Sequence, residues 1–342
     1  MDHAEARRTV QGSVGGAVAT VARRPRAIGT TTKGPLDVPV EFRTDPPSLS
    51  VLIVTYRSAG FVEGCLDSLI GQEPGRSVEI IVFDNCSDDG TPDIVRSRFP
   101  SVQVVPCREN LGFARANNRA MALSRGTRLL VLNPDTVVPP GTLDLLMATL
   151  DADPGIGIVG PRLVNPDGSD QQTARAFPTP AAALLGRRSP LTRLWPHNPW
   201  SRRYLDTRHA AATSPFDVDW LSGACMLLRR EVALATGGFD ERYFMYWEDA
   251  DWCRRMAGAG FRVVCDPRAV VVHDEGAGRG RSARQVLAFH RSAYLYFSRH
   301  HLQGAWRLLR PAARTALTLR GALTLVVGHR PWRGRGSGRD RS

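Results

Sequence analysis

Order along the chain begins at Ser50-Val51-Leu52-Ile53-Val54-Thr55, an unbroken apolar and β-branched run that reads as a strand buried on both faces. Phe61, Cys65 and Leu69 follow at i, i+4 and i+8, one face of an amphipathic helix. The alternation then repeats, with strands expected over 78–83, 102–105, 128–132 and 156–163 and helices over 93–98, 114–124 and 143–150. Residues 165–215 are polar and aperiodic and carry Trp195-Pro196-His197-Asn198-Pro199-Trp200. Loops of that length are functional or disordered. Strand character returns at 224–228, then a helix at 248–257, short strands at 262–265 and 269–273, and a helix over 285–299. Strands alternating with helices at short spacing predict an α/β fold built on a mostly parallel, doubly wound sheet. Ligands of such sheets gather beyond the carboxyl ends of the strands. The first, second and fourth strands end at Thr55-Tyr56, Asp84-Asn85 and Asn133-Pro134-Asp135, which places a site there.

Composition narrows the classes. The 342 residues suffice for a full core, and the formal charge of +12 is unevenly spread. Residues 301–342 hold nine Arg against Asp340 and contribute +8, residues 1–47 contribute +2, and the 253 residues between them only +2. Such a near-neutral body, without a reading motif, argues against a nucleic-acid-binding protein that uses the Arg-rich tail. Six cysteines (65, 86, 107, 225, 253 and 265) include no CxxC pair, which points to a reduced, cytoplasmic protein without a zinc site. No apolar run is long enough to span a bilayer. The weakly apolar stretch 12–22 has acids before it and Arg23-Arg24 after it, the reverse of a signal peptide. Residues 1–47 read as a disordered extension, 48–300 as the folded domain divided near 137, and 301–342 as a basic amphipathic and disordered tail.

The chemistry-bearing motifs come next. Tyr56-Arg57-Ser58-Ala59-Gly60 occupies the place of a GxGxxG turn, and no GxxxxGK[ST] occurs, which excludes a dinucleotide Rossmann site and a P-loop. Gly276-Ala277-Gly278-Arg279-Gly280 has the wrong spacing and reads as a loop. Asp84-Asn85-Cys86-Ser87-Asp88-Asp89-Gly90 could present a carboxylate to a pyrimidine imide, or be an Asx-rich turn. Asn110-Leu111-Gly112 opens a helix whose N-terminus suits a diphosphate, or is a capped helix with no ligand. Asp135 could hold a divalent cation or belong to a Pro–Asp turn. Trp247-Glu248-Asp249-Ala250-Asp251-Trp252 sets three acids among aromatic rings at a helix start, an environment that raises carboxylate pKa values. His273, at a strand end, is a ligand or a structural histidine.

Taken in order, these motifs together with Trp220-Leu221-Ser222-Gly223-Ala224 and Gly238-Phe239-Asp240-Glu241-Arg242-Tyr243-Phe244 resemble the inverting family 2 glycosyltransferases, most of all their rhamnosyltransferase branch. The resemblance covers residues 48–300 and implies a GT-A fold with a nucleotide-binding half (48–137), an acceptor and catalytic half (138–300) and a C-terminal helical extension. It also implies a nucleotide-sugar donor, dTDP-L-rhamnose in that branch, and an acceptor that is a polyprenyl-diphosphate-GlcNAc lipid or a polysaccharide. UDP-galactofuranose and UDP-GlcNAc are the alternative donors on the same fold. By motif position, Thr55, Asp84, Asn85, Asn110, Gly112, Asn133 and Asp135 would bind the donor. Asp135 and His273 would hold Mg²⁺ or Mn²⁺, with Asn133 standing where the family's first metal-motif acid would be. Asp249 would be the catalytic base, Glu248 and Asp251 would orient the acceptor hydroxyls, and Trp220 and Trp247 would stack on sugar faces or pack in the core.

The tail completes the picture. Leu302, Trp306, Leu309, Ala313 and Leu317 recur at helical spacing, Arg307, Arg310 and Arg314 share another face, and Pro311 suits a helix's first turn. A basic amphipathic helix of this kind lies on anionic lipid or docks on its own domain. With a lipid-linked acceptor, the former predicts peripheral attachment to the inner face of the plasma membrane.

Overall fold

The computed structural model describes residues 46–72, 77–171, 173–180, 212–275 and 282–326. Its strands are β1 (Leu49–Thr55), β2 (Val78–Asp84), β3 (Gln103–Pro106), β4 (Arg128–Leu132), β5 (Thr136–Val137), β6 (Ile156–Val164), β7 (Phe216–Asp217), β8 (Cys225–Arg229) and β9 (Arg262–His273). The helices are α1 (Val62–Leu69), α2 (Thr91–Arg98), α3 (Phe113–Leu123), α4 (Thr142–Ala152), α5 (Arg230–Thr236), α6 (Glu248–Gly258), α7 (Ala283–His300) and α8 (Arg310–Val326). A 3₁₀ turn, Gly304–Leu309, joins the last two.

Alternation along β1 divides the core in two. Leu49, Val51 and Ile53 pack toward α1 and α4, while Leu52 faces α3 and α6 on the other side of the sheet. Both faces of β1 are therefore dry, as its continuous apolar run predicts. The strand order is β3-β2-β1-β4-β8-β6-β9-β5, with β7 on β9. The β3-β2-β1-β4 half is parallel throughout. Strand β8 then runs antiparallel between β4 and β6, so the sheet is mixed, while β6 and β9 are parallel to each other. This reversal decides where the site lies. Leu132 at the end of β4 pairs with Cys225 at the start of β8, so Gly223 and Ala224 arrive at the carboxyl end of β4.

The two short strands expected over 262–265 and 269–273 are one strand, β9, interrupted where Pro161 pairs with Asp266 and Arg162 with Val270. Asp266, buried in that irregularity, is closed by Arg268 at 2.7 Å and Thr149 at 2.6 Å. The Trp195–Trp200 motif, the glycine-rich 276–280 segment, the expected disorder of the N-terminal extension and the basic end beyond Val326 lie outside the described residues.

Candidate active site

Strands β1 and β2 end side by side in the register Thr55–Asp84. Thr55 Oγ1 donates to Asp84 Oδ1 at 2.9 Å, and the Ser87 N–H donates to Asp84 Oδ2 at 3.0 Å. Thr55 is fully buried, so its hydroxyl orients Asp84 and is not itself free for a nucleoside. Each Asp84 oxygen keeps a further lone pair. Asn85 ties this rim to the next one: its Oδ1 accepts from the Leu111 N–H at 2.8 Å, and its Nδ2 donates to Asn110 Oδ1 at 3.0 Å.

Gly112 has φ +81°, and a Cβ there would lie 2.3 Å from the Phe244 carbonyl oxygen, so the close backbone approach it permits is that of Phe244. The Phe113 N–H donates to that same carbonyl at 2.6 Å. Asn118 grips Phe239 in both directions, donating to its carbonyl at 2.8 Å and accepting from its N–H at 3.0 Å, and Arg115 pairs with Glu241 at 3.3 Å. The Asn110–Asn118 motif thus straps the Gly238–Phe244 segment across the N-terminus of α3. From there Tyr246 and Trp247, at φ 70° and 73°, turn the chain into α6. Consecutive non-glycine residues in the left-handed region are costly and persist where neighbouring contacts over-determine them.

Glu248, Asp249 and Asp251 open α6, and the structure separates them. Asp249 Oδ2 accepts from the Gly223 N–H at 3.2 Å and Oδ1 from its neighbour Ala250 at 2.8 Å. Gly223 leaves just enough room: a Cβ would meet Phe113 at 3.3 Å and Asp249 Cβ at 3.7 Å. Burial raises the Asp249 pKa, against the pull of the Ala250 and Gly223 N–H groups and the charge of Arg175. Burial, and then the charge of Asp249, pushes the Glu248 carboxyl up to about 8, and its Oε2 is buried without a hydrogen-bond partner.

Asp251 points elsewhere, and its expected acceptor role is corrected. Two residues on from Asp249, it stands across the helix, fully buried. His300 Nε2 lies 2.7 Å from one oxygen, Arg255 Nε 2.8 Å and Arg299 Nη1 3.3 Å from the other. Burial would raise its pKa, but the His300 hydrogen bond and the Arg255 and Arg299 charges hold it below the usual carboxylate value. It anchors α6 to α7. Trp220 follows the core-packing alternative: it is almost wholly buried, its Nε1 donates to the Ala176 carbonyl at 2.9 Å, and the Arg175 guanidinium covers its ring at 5.0 Å. Trp247 packs its ring on Phe289, Tyr296 and Phe297, 5.4–5.6 Å between centroids, a core contact with α7.

Across the same end of the sheet, β5 pairs with β9 in the register Thr136–His273. That pairing sets His273 Nε2 3.3 Å from Asp135 Oδ1 and 3.4 Å from Asn133 Nδ2. Gln171 fixes the histidine. Its Nε2 donates to the His273 carbonyl at 2.6 Å and to Asn165 Oδ1 at 2.8 Å, so the Oε1 that faces His273 Nδ1 at 2.9 Å is an acceptor. The ring proton therefore sits on Nδ1, and in the neutral ring Nε2 turns a lone pair toward Asp135. Asp135 Oδ1 is itself buried and receives no hydrogen bond. An unpartnered carboxylate oxygen beside an imidazole nitrogen that only the long Asn133 amide contact occupies, with the Gln171 amide holding the ring from behind, fits a divalent cation. Among the described residues no group of three His, Cys, Asp or Glu side chains gathers, so the remaining ligands of such an ion would be water and donor phosphate.

The two halves of the site are physically joined. The Asn133 N–H donates to the Ala224 carbonyl at 2.9 Å, and the preceding residue, Gly223, holds Asp249.

A model described as glycosyl transferase family 2 matches residues 50–234. The chain belongs to glycosyl transferase family 2. It is a glycosyltransferase of the GT-A fold. The N-acetylglucosaminyl-diphospho-decaprenol L-rhamnosyltransferase of Mycobacterium tuberculosis is 37% identical over 289 residues, 81% of this chain and 91% of that one. The O-antigen biosynthesis protein RfbC of Myxococcus xanthus is 26% identical over 77% of this chain but only 20% of its own. A mannosyltransferase of Pyrobaculum calidifontis, PcManGT, solved with GDP-Man and Mn²⁺, superposes with a TM-score of 0.51 at 21% identity, covering 87% of this chain and 81% of that one.

Within the family frame, three residues emerge that sequence reasoning left without a role. Gly223 lies in a motif noted for resemblance alone, yet its N–H holds Asp249. Gln171 and Arg175 sit in the aperiodic stretch, where no pattern marks a residue that acts through folding back.

Proposed function

We propose that this family 2 enzyme is an inverting rhamnosyltransferase, moving L-rhamnose from dTDP-L-rhamnose onto a polyprenyl-diphosphate-GlcNAc acceptor in cell-wall or surface-glycan synthesis. The observation that carries the chemistry is the joined pair of sites: a base-competent carboxylate, Asp249, linked through Gly223, Ala224 and Asn133 to Asp135 and His273. The relative of Mycobacterium tuberculosis supplies the sugar and the acceptor class.

In one displacement the acceptor hydroxyl attacks the anomeric carbon as the nucleoside diphosphate leaves. Asp249 takes the hydroxyl proton, and the N–H groups of Gly223 and Ala250 keep its two oxygens oriented for that transfer. Burial and the neighbouring Asp249 charge push the Glu248 carboxyl up to about 8, which favours its neutral form beside Asp249. Asp135 and His273 would hold Mg²⁺ or Mn²⁺, which when bound neutralises charge on the departing diphosphate. Asp84, Asn85 and Asn110 shape the nucleoside side of the cleft. The enzyme works at the cytoplasmic face of the plasma membrane, attached peripherally through its basic C-terminal segment.

A donor panel tests this reading: dTDP-L-rhamnose, UDP-galactofuranose and UDP-GlcNAc against a synthetic short-prenyl diphosphate-GlcNAc, with anomeric analysis of the product. Preference for dTDP-L-rhamnose with inverted configuration is expected. Preference for a UDP-sugar overturns the donor assignment, and retained configuration overturns the single displacement.

A further inference from the structure

Helix α8 is held to the protein by a narrow stripe. Its one buried residue is Gly321, seated where a Cβ would meet His290 of α7 at 3.3 Å, with Leu317 one turn earlier packed against the core. The opposite face is apolar and bare. Ala312, Leu319, Leu323 and Val326 recur at i, i+7, i+11 and i+14, and the last three are 64%, 62% and 83% exposed. The 3₁₀ turn before the helix adds Trp306 and Leu308, 66% and 81% exposed. A water-facing helix carries polar residues on its outer side, so this one is built for a covering partner.

Charge selects the partner. Residues 301–326 contain Arg307, Arg310, Arg314 and Arg320 and no acid. Arg310 is spent on the Leu302 and Ser298 carbonyls, Arg307 is exposed on the 3₁₀ turn, and Arg314 is exposed on the side of α8 away from the apolar stripe. Two copies of so cationic and acid-free a segment repel each other, whereas an anionic bilayer neutralises it. No helix among the described residues is long and apolar enough to cross a membrane, so the helix would lie along the surface. We propose that the outer face of α8, with the 3₁₀ turn, is the lipid-embedded face of the protein, seating the apolar stripe among acyl chains while Gly321 stays on α7. This rests on the membrane partner named above and identifies which surface engages it.

The test is flotation of the full chain with phosphatidylcholine vesicles, with and without phosphatidylglycerol, alongside transfer to a water-soluble short-prenyl acceptor. The full chain should float with the anionic vesicles only. A variant combining Leu319→Ser, Leu323→Ser and Val326→Ser should lose about tenfold or more in vesicle affinity while keeping its circular dichroism and its soluble-acceptor activity. Ala312→Leu, which widens the stripe, should bind severalfold tighter. Unchanged flotation of the triple variant would assign binding to the basic end beyond Val326 and overturn the proposal, as would failure of the parent chain to float or of Ala312→Leu to gain. A dimer of the parent chain that the triple variant dissolves would make a second copy the occupant. Loss of transfer to the soluble acceptor by the parent chain would instead strike the proposed reaction, leaving the vesicle result to be read by itself.

Discussion

The first turn of α6 presents two carboxylates to two different worlds. Asp249 faces the cleft, held by neutral N–H groups of Gly223 and Ala250, and burial raises its pKa. Asp251 faces the α7 core, ringed by His300, Arg255 and Arg299, which outweigh burial and lower its pKa. Neutral donors fix a carboxylate in place without quenching its basicity, whereas cations neutralise it. The same side chain, two residues along one helix, is thereby suited to the proposed proton acceptance on one side and to structural anchoring on the other.

The sharpest way to break this contrast is at the anchor. Asp251→Asn leaves the partly buried Arg255 and Arg299 facing an uncharged group, with Arg299 keeping Asp240, and should cost roughly 3 kcal/mol of stability in a urea titration. The surviving folded fraction should turn over at the parent rate per molecule. A stable Asp251→Asn with lost activity would assign Asp251 to the cleft after all.

Carried across to the Asp135 side, the contrast predicts that neutral groups again do the orienting. Gln171→Leu removes the acceptor of the His273 Nδ1 proton and should weaken Mn²⁺ binding about ten- to a hundredfold, read by electron paramagnetic resonance with the donor present. Unchanged Mn²⁺ affinity would show that His273 is not a ligand.

The smallest effect comes from Glu248. Its folded pKa, about 8, lies above its ordinary value, so folding takes up a proton there. The sign follows: its contribution to stability is intact below the ordinary carboxylate pKa and is lost as pH rises through about 8. Glu248→Gln keeps the neutral form at every pH. It should melt a few degrees above the parent beyond pH 8, and the difference should close near pH 5. A gap independent of pH would mean that Glu248 is ionised in the fold.

Much of this was legible in the chain. The parallel half of the sheet and the ends of β1, β2 and β4 follow from apolar runs whose period is unmistakable. The antiparallel β8 was visible as a strand but not in direction, since direction depends on how the long connection before it returns. Strands β5 and β7, two residues each, are too short for any periodicity, yet β5 is what delivers His273 to Asp135. Among the acids, spacing alone shows that Asp249 and Asp251 part ways around the helix. Which of them faces the cleft depended on Arg299 and His300 from a distant helix. Trp220 and Gly112 were ambiguous for a shared reason: a residue that admits or covers protein looks, in sequence, like one that admits or covers a ligand.

The central claim, that Asp249 alone takes the proton while the donor is held separately, is tested most directly by Asp249→Asn. Single-turnover transfer and donor calorimetry, both with Mn²⁺, should show the rate falling roughly a hundredfold or more with donor affinity nearly unchanged. Turnover at the parent rate, or donor binding lost together with turnover, would contradict it.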